Sequence, residues 1–426
     1  MDKLTKLEKS WITYDWANSV YAIIMMSAIF PVYFSSAVGG NDGDGWWALG
    51  TFIATMTMAI LAPILGAIAD FRGMKKKLML AFLSLGLFFT AYNAITDNWR
   101  LMLVGYILSY IGFMGSNLFY DSFLTDVTTK DRMDKVSSWG YGMGYIGGST
   151  IPFLISIALI MVGPSFGLDG TIPVRLSLVI TVAWWGIFSI PLMKNVHQEY
   201  YTEKPPGNLL LESFRNLKGT VGDIVTDKGI LFFLLAYFFY IDGVNTVINM
   251  ATAYGATLGL DTTGMILALL VTQLVAFPFA ILFGRLAKRY GALNLILGAV
   301  SMYAFICLLG FVMGLGIEEG FLSHGSALIL FWILAILVGT VQGGIQALSR
   351  SFFGKIIPAE KSNEYFGFYD IFGKFAAILG PGLYWVVKSL TGRSSLSILA
   401  IILLFAAAAI LILKNRKVIA AREYRG

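Results

Sequence analysis

The chain has 426 residues, of which 57% are hydrophobic and 13% charged, with a net charge of +6 and a mean hydropathy of +0.74. That is too apolar for a soluble globule, whose charged fraction is nearer a quarter. One cysteine, Cys307, and two histidines exclude an intrachain disulfide, a metal cluster and a histidine relay within the membrane. An all-α polytopic membrane protein remains.

The N-terminus carries mixed charge and no short apolar core with a cleavage site, so no removable signal peptide is expected. Apolar runs of about 20 residues or more predict twelve transmembrane helices near 11–38, 46–70, 78–97, 101–127, 136–163, 173–193, 229–257, 262–287, 292–314, 325–352, 362–388 and 395–413. The first contains Tyr14, Asp15, Trp16, Ala17, Asn18 and Ser19, which puts a carboxylate and an amide inside a span. A charge in hydrocarbon costs at least a few kcal/mol, so an intramembrane acid points to function. The seventh span repeats the Asp-x-x-Asn pattern at Asp242 and Asn245.

The longest polar segment, 194–228, holds Pro205, Pro206 and Gly207, then an amphipathic run from Leu209 to Leu217. It divides the chain into an N-terminal six-helix bundle (1–193), a cytoplasmic linker (194–228) and a C-terminal six-helix bundle (229–426). Of the 31 Lys and Arg, 25 lie on the side that holds both termini, against Arg100, Arg175, Lys388 and Arg393 opposite. Basic residues favour cytoplasmic loops, so both termini are placed in the cytoplasm and the basic excess reads as topology, not nucleic-acid binding.

The halves repeat. Asp15 aligns with Asp242 and Asn18 with Asn245 at an offset of 227; Asn117 with Gln346, Asp121 with Arg350, Ser122 with Ser351, Phe123 with Phe352 and Pro152 with Pro381 at 229. A third anchor sets Gly66, Asp70 and Gly73 against Gly284, Lys288 and Gly291 at 218. Two parallel six-helix halves are the arrangement of major facilitator transporters.

The loop Gly66 to Lys76 resembles the major facilitator signature between spans two and three, with Met74 where that signature usually has a basic residue. Its glycines let helix ends approach, and Asp70 suits either the cap of a neighbouring helix or a loop cation. A narrower resemblance runs through Trp11, Tyr14 to Ser19, Tyr21, Ala22, Phe30, Pro31, Tyr33 and Phe34, and through Gln346, Arg350, Glu364, Gly367, Asp370, Gly373, Lys374, Gly380 and Pro381. These residues resemble the vacuole effluxer family, also called the unknown major facilitator family. The resemblance implies twelve spans in two pseudo-symmetric bundles and, from its fungal members, amino-acid export. Asp121 and Thr125 stand where the family commonly has Asn and Pro, so substrate does not carry over directly.

Helical spacing groups the polar residues. Asp242, Asn245 and Asn249 share a stripe, as do Gln342, Gln346 and Arg350; Asn117 with Asp121 and Asp370 with Lys374 form shorter ones. Depth places Asp15, Asp121 and Arg350 in the cytoplasmic third, and with Asn18 and Asp370 they are assigned to a gate or coupling set, with Arg350 bridging to Asp15 or Asp121. Asp242, Asn245, Asn249, Gln273, Gln346, Lys374 and Tyr145 are assigned to substrate. Structural readings stand beside these: Asp370 and Lys374 neutralising each other, Arg350 tying helices within the C-terminal half, Asn245 and Asn249 as interhelical glue, and Tyr141 and Tyr145 as packing. The glycine run Gly140, Gly142, Gly144, Gly147, Gly148 reads as close helix approach.

The expectation is therefore a monomeric secondary transporter, in a bacterial cytoplasmic membrane, without cofactor or metal. It moves a small polar metabolite, an amino acid or related zwitterion, by alternating access, with proton-coupled efflux as one mode. A sugar, nucleoside or peptide-like solute is the alternative cargo, and a transporter-derived receptor or scaffold the alternative class. No nucleophile–base pair supports an enzyme, and no Gly-x-x-x-x-Gly-Lys loop supports an ATP-driven pump.

Overall fold

The computed structural model describes residues 3–39, 43–168, 170–203, 209–376 and 379–425. Among these, eleven helices are long and apolar enough to cross a membrane: Lys6–Val38, Gly45–Ala69, Met74–Ile95, Trp99–Val127, Met133–Phe166, Ile172–Asn195, Lys228–Thr257, Leu267–Tyr290, Ala292–Glu318, His324–Ile356 and Ser394–Glu423. The expected eleventh span is made from two shorter helices, Ser362–Phe375 and Leu379–Thr391. With it the spans number twelve, and they are counted below in chain order. The amphipathic stretch of the linker forms the helix Leu209–Thr226.

Local chemistry sets the boundaries. The first span begins before its apolar residues, because Thr5 and Glu8 close a reciprocal capping box at 2.8 and 3.2 Å. Asn98, Asp227, Asp261 and Ser323 cap the fourth, seventh, eighth and tenth spans by accepting backbone N–H groups. The twelfth helix runs beyond the apolar stretch to Arg425, as straight-chain residues such as Lys414, Arg416 and Lys417 continue a helix readily.

Internal contacts divide the chain into two compact units. The first comprises Met1–Lys130, Met143–Thr220 and Pro358–Phe368; the second comprises Asp131–Gly142, Val221–Ile357 and Tyr369–Gly426. The main division falls within the linker helix, yet each unit takes in the start of one span from the other half of the sequence: the eleventh in the first unit, the fifth in the second.

The first unit has an aromatic interior, with the Trp47 and Tyr106 rings 4.0 Å apart and Tyr21 and Phe113 4.6 Å apart. Its third and fourth spans meet at backbone distance, since a Cβ on Gly112 would lie 2.6 Å from the Gly86 Cα. Small residues of this kind let membrane helices approach where lipid supplies no hydrophobic drive. In the second unit Tyr237, Tyr369 and Phe353 stack at 4.1 and 4.9 Å.

Candidate functional site

In the first unit the intramembrane acid is bound to its neighbours. Asp15 is 7% exposed, and Tyr120 donates its hydroxyl to the Asp15 Oδ2 at 2.7 Å. Trp11 stacks on the Tyr120 ring at 4.4 Å and donates its indole N–H to the Tyr120 carbonyl at 2.8 Å. One turn further on, the Asn18 amide donates to Asn117 Oδ1 at 2.7 Å. The first and fourth spans are thus joined through polar groups, and Asp121 lies half-buried on the same fourth span.

The fifth span widens into a π-helical turn over Gly144–Thr150, a departure often found at functional sites. Its glycines seat the first span: a Cβ on Gly144 would lie 2.7 Å from Ser19 Oγ, and one on Gly148 would lie 2.5 Å from Ser19 Cβ. Tyr145 is buried in this turn, and its carbonyl accepts the Thr150 hydroxyl at 2.7 Å.

The second unit again ties an intramembrane acid to a neighbouring span. Asp242 is fully buried; its Oδ2 accepts the Leu379 N–H and its Oδ1 the Gly380 N–H, both at 2.9 Å, and Thr246 donates at 3.3 Å. Asp242 therefore caps the second half of the eleventh span, where the partial positive charge of a helix N-terminus favours a carboxylate. At the 229-residue offset the π-helical turn 144–150 maps onto 373–379, a stretch that takes in the end of one described helix at Phe375 and the start of the next at Leu379. Ser19 and Thr246, equivalent at 227, each stand against a glycine of the interrupted span, Gly148 and Gly380.

The other expected ligands differ in exposure. Asn245 is half-buried, Asn249 exposed, and Gln346 and Asp370 half-buried; the Lys374 side chain lies outside the described residues. Gln273 joins Gln342 in lining a cavity of about 90 Å³ that is otherwise largely apolar, between Tyr254, Cys307 and Phe331. Gln342, grouped by helical spacing with Gln346 and Arg350, is thus a lining residue that sequence reasoning left unassigned. Arg350 is 2% exposed: its Nε donates to Ser137 Oγ at 2.9 Å, its Nη2 to the Ser137 carbonyl at 3.1 Å, and its guanidinium lies 4.3 Å from the centre of the Tyr141 ring. It ties the tenth span to the start of the fifth.

The loop between spans two and three forms a second polar centre. Asp70 Oδ1 accepts the backbone N–H and the side-chain amide of Asn363 at 2.9 and 2.7 Å, and Oδ2 accepts the Glu364 N–H at 3.0 Å. It caps the first half of the eleventh span. Burial pushes the Asp70 carboxyl up to about 7, against the opposing pull of Lys75 and of the bonds from Asn363 and Glu364. Gly66 permits the contact, as a Cβ there would lie 2.5 Å from the Asn363 carbonyl oxygen, and Gly73 takes φ +72° to begin the third span. Beside it, fully buried Lys75 pairs with Asp126 at 2.6 Å and donates to Ser362 Oγ at 3.1 Å.

The second unit again supplies the counterpart. Gly284 lies against the start of the fifth span, a Cβ there being 2.9 Å from the Asp134 carbonyl oxygen, and Gly291 takes φ +79°. Ser122 donates to Asn363 Oδ1 at 2.5 Å in one unit, and Ser351 to Asp134 Oδ1 at 2.7 Å in the other. Lys288, in the place of Asp70, is exposed; the acid here is Asp134, paired with Lys355 at 2.6 Å. Asp126, Asp134, Lys355 and Asn363 were not singled out from sequence, although the offset of 229 that pairs Ser122 with Ser351 also pairs Asp126 with Lys355 and Asp134 with Asn363.

The family described as vacuole effluxer Atg22 like matches residues 48–133 and 125–421. The chain is 45% identical over 418 residues to an uncharacterised MFS-type transporter, YxiO, of Bacillus subtilis (strain 168), covering 95% of this chain and 94% of that one. It is 26% identical over 285 residues to autophagy-related protein 22-1 of Penicillium rubens, covering 61% of this chain and 44% of that longer protein. Among solved structures it is similar to the proton:xylose symporter XylE (TM-score 0.73, 14% identity, 96% of this chain and 95% of that one). It is also similar to the major facilitator transporter FucP in the outward conformation (0.67, 16%, 96% and 97%). At these identities the likeness shows the major facilitator fold.

Proposed function

We propose, for a chain that belongs to the vacuole effluxer Atg22-like family of MFS-type transporters, that the cargo is a small zwitterion of the amino-acid type. The observation that carries this reading is Asp242 bound to the Leu379 and Gly380 N–H groups at the N-terminal end of the second helix of the eleventh span. Interrupted helices at matching places in two halves mark substrate sites in transporters, with half-helix N-termini turned to anionic groups. A solute carboxylate competes with Asp242 for the Leu379 and Gly380 N–H groups, and the freed Asp242 receives the solute ammonium. Asn245, Asn249, Gln273, Gln346, Lys374 and Tyr145 remain candidates for the rest of the contact.

Alternating access then works through the ends of the fifth and eleventh spans. The bonds from Arg350 to Ser137 and from Asn363 to Asp70 act as latches that break when those ends move, and Asp15, Asn18, Asp121 and Asp370 adjust with them. A proton on Asp242 removes the charge from the half-helix N-terminus, which offers a route to proton coupling. The Lys/Arg distribution supports cytoplasmic termini, and efflux follows the direction suggested for the family.

Counterflow in proteoliposomes tests the reading. Labelled amino acids should exchange against unlabelled ones, and Asp242→Asn should reduce exchange at least tenfold while the protein remains folded. Exchange of a sugar but of no amino acid would overturn the assignment of cargo.

A further inference from the structure

The third and sixth spans form a cationic cavity that the transport reading does not use. It has a volume of about 570 Å³ and is lined by Arg72, Lys76 and Lys77 at the start of the third span and by His197 just after the sixth. No carboxylate lines it among the described residues. Its membrane-side wall is apolar, formed by Met193 and by Leu80, which is 52% exposed.

The cavity is built, not incidental. The chain after the sixth span is fixed against the loop between spans two and three: Thr202 pairs in parallel with Phe71, its N–H bonding the Asp70 carbonyl at 2.8 Å and its carbonyl accepting from Arg72 N–H at 3.1 Å. The backbone N–H groups of Glu199 and Tyr200 bond Asp126 Oδ1 at 2.8 and 3.0 Å, and Gln198 takes the Gly73 N–H at 3.0 Å. Lys76 Nζ is held on the Val196 carbonyl at 2.9 Å. Arg72 stands over the Tyr201 ring at 5.2 Å and meets Glu203 at 3.4 Å, so one of the three cations has a partial counter-charge and Lys77 remains exposed.

Three cations brought together at the end of two spans repel one another unless an anion joins them. We infer that this cavity binds the phosphate of an anionic phospholipid, with an acyl chain passing over Leu80 and Met193. Basic pockets between membrane helices near the headgroup level bind lipid phosphates in this way. The shared chemistry, a phosphate anion, is also that of free phosphate, but the exposed apolar wall at the span ends selects the lipid.

The test compares purified protein in detergent with added dioleoylphosphatidylglycerol, dioleoylphosphatidylcholine or inorganic phosphate, reading the thermal midpoint and, by native mass spectrometry, retained lipid. Phosphatidylglycerol should raise the midpoint where phosphatidylcholine does not. Lys77→Gln, whose side chain is exposed, should weaken its retention about fivefold and Arg72→Gln with Lys77→Gln about 25-fold, from about 1 kcal/mol per basic residue. Lys414→Gln, on the twelfth helix, should leave retention unchanged. Equal stabilisation by phosphatidylcholine, equal stabilisation by free phosphate, or full retention by folded Lys77→Gln and the double variant would each overturn the site.

Discussion

Asp70 and Asn363 are 293 residues apart in the chain and are joined by two hydrogen bonds, of 2.9 Å to the backbone and 2.7 Å to the side-chain amide. With Glu364 they make the start of the eleventh span, up to Phe368, part of a unit otherwise drawn from the N-terminal half of the chain.

Replacing Asp70 by Ala leaves the Asn363 and Glu364 N–H groups without their cap. Loss of an N-cap costs about 1–2 kcal/mol, so hydrogen exchange over 358–368 should speed up by roughly 5- to 30-fold. Asp70→Asn, which keeps an acceptor oxygen, should lose less. Exchange unchanged in both variants would show that the cap does not hold this segment.

The same contact should depend on pH. The Asp70 carboxyl is raised from 3.8 to about 7 when buried, so the docked segment binds a proton that the undocked one releases. A raised acid contributes stability that is complete below its reference value and is lost as pH rises to the folded value. Docking should therefore weaken between about pH 4 and 7, with Lys75 and the Asn363 and Glu364 bonds limiting the loss. Exchange over 358–368 should be slower at pH 5 than at pH 8 once corrected for intrinsic rates, and Asp70→Asn should flatten the difference.

Lys75 and Asp126 have no exposed side-chain surface. Removing one partner strands a buried charge at a cost of about 3–5 kcal/mol, whereas replacing both costs much less. Lys75→Met and Asp126→Leu should each lower the thermal midpoint sharply, with the double variant nearer wild type. Because Asp126 also accepts the Glu199 and Tyr200 N–H groups, the double variant should still show faster exchange at 199–200. Additive losses would show that the pair is not coupled.

Hydropathy placed the eleven spans that are long and apolar enough to cross a membrane among the described residues, because a span is specified by the length of its apolar run. It placed their ends less well: the first span starts at a capping box of polar residues, and a hydropathy window does not see a hydrogen bond. The repeat located the glycines and acids that carry the contacts, since Gly66 and Gly284, or Asp15 and Asp242, are legible as matching letters. It did not reveal what each touches. Asp242 was assigned to substrate by depth, and only the broken eleventh span explains why its carboxylate faces two backbone N–H groups. Arg350 was matched with Asp15 or Asp121 by charge, and the partners described for it are the Ser137 hydroxyl and carbonyl and the Tyr141 ring, which no charge pattern announces.

The two interrupted spans give a last prediction. A methyl on Gly380 would lie 2.8 Å from Asp242 Oδ1 and against Thr246, and one on Gly148 would lie 2.5 Å from Ser19 Cβ. Interiors of this density absorb an added carbon only by displacement, at about 1–3 kcal/mol. Gly380→Ala should therefore dislodge the half-helix from Asp242 and lower counterflow at least tenfold, with little change in membrane insertion. Gly148→Ala should act through packing alone, so Ser19→Gly should restore part of its exchange, less about 1 kcal/mol for glycine in a helix. If Gly380→Ala transports normally while Gly148→Ala fails, the acid-capped break is not where the solute binds, and the fifth span becomes the place to look.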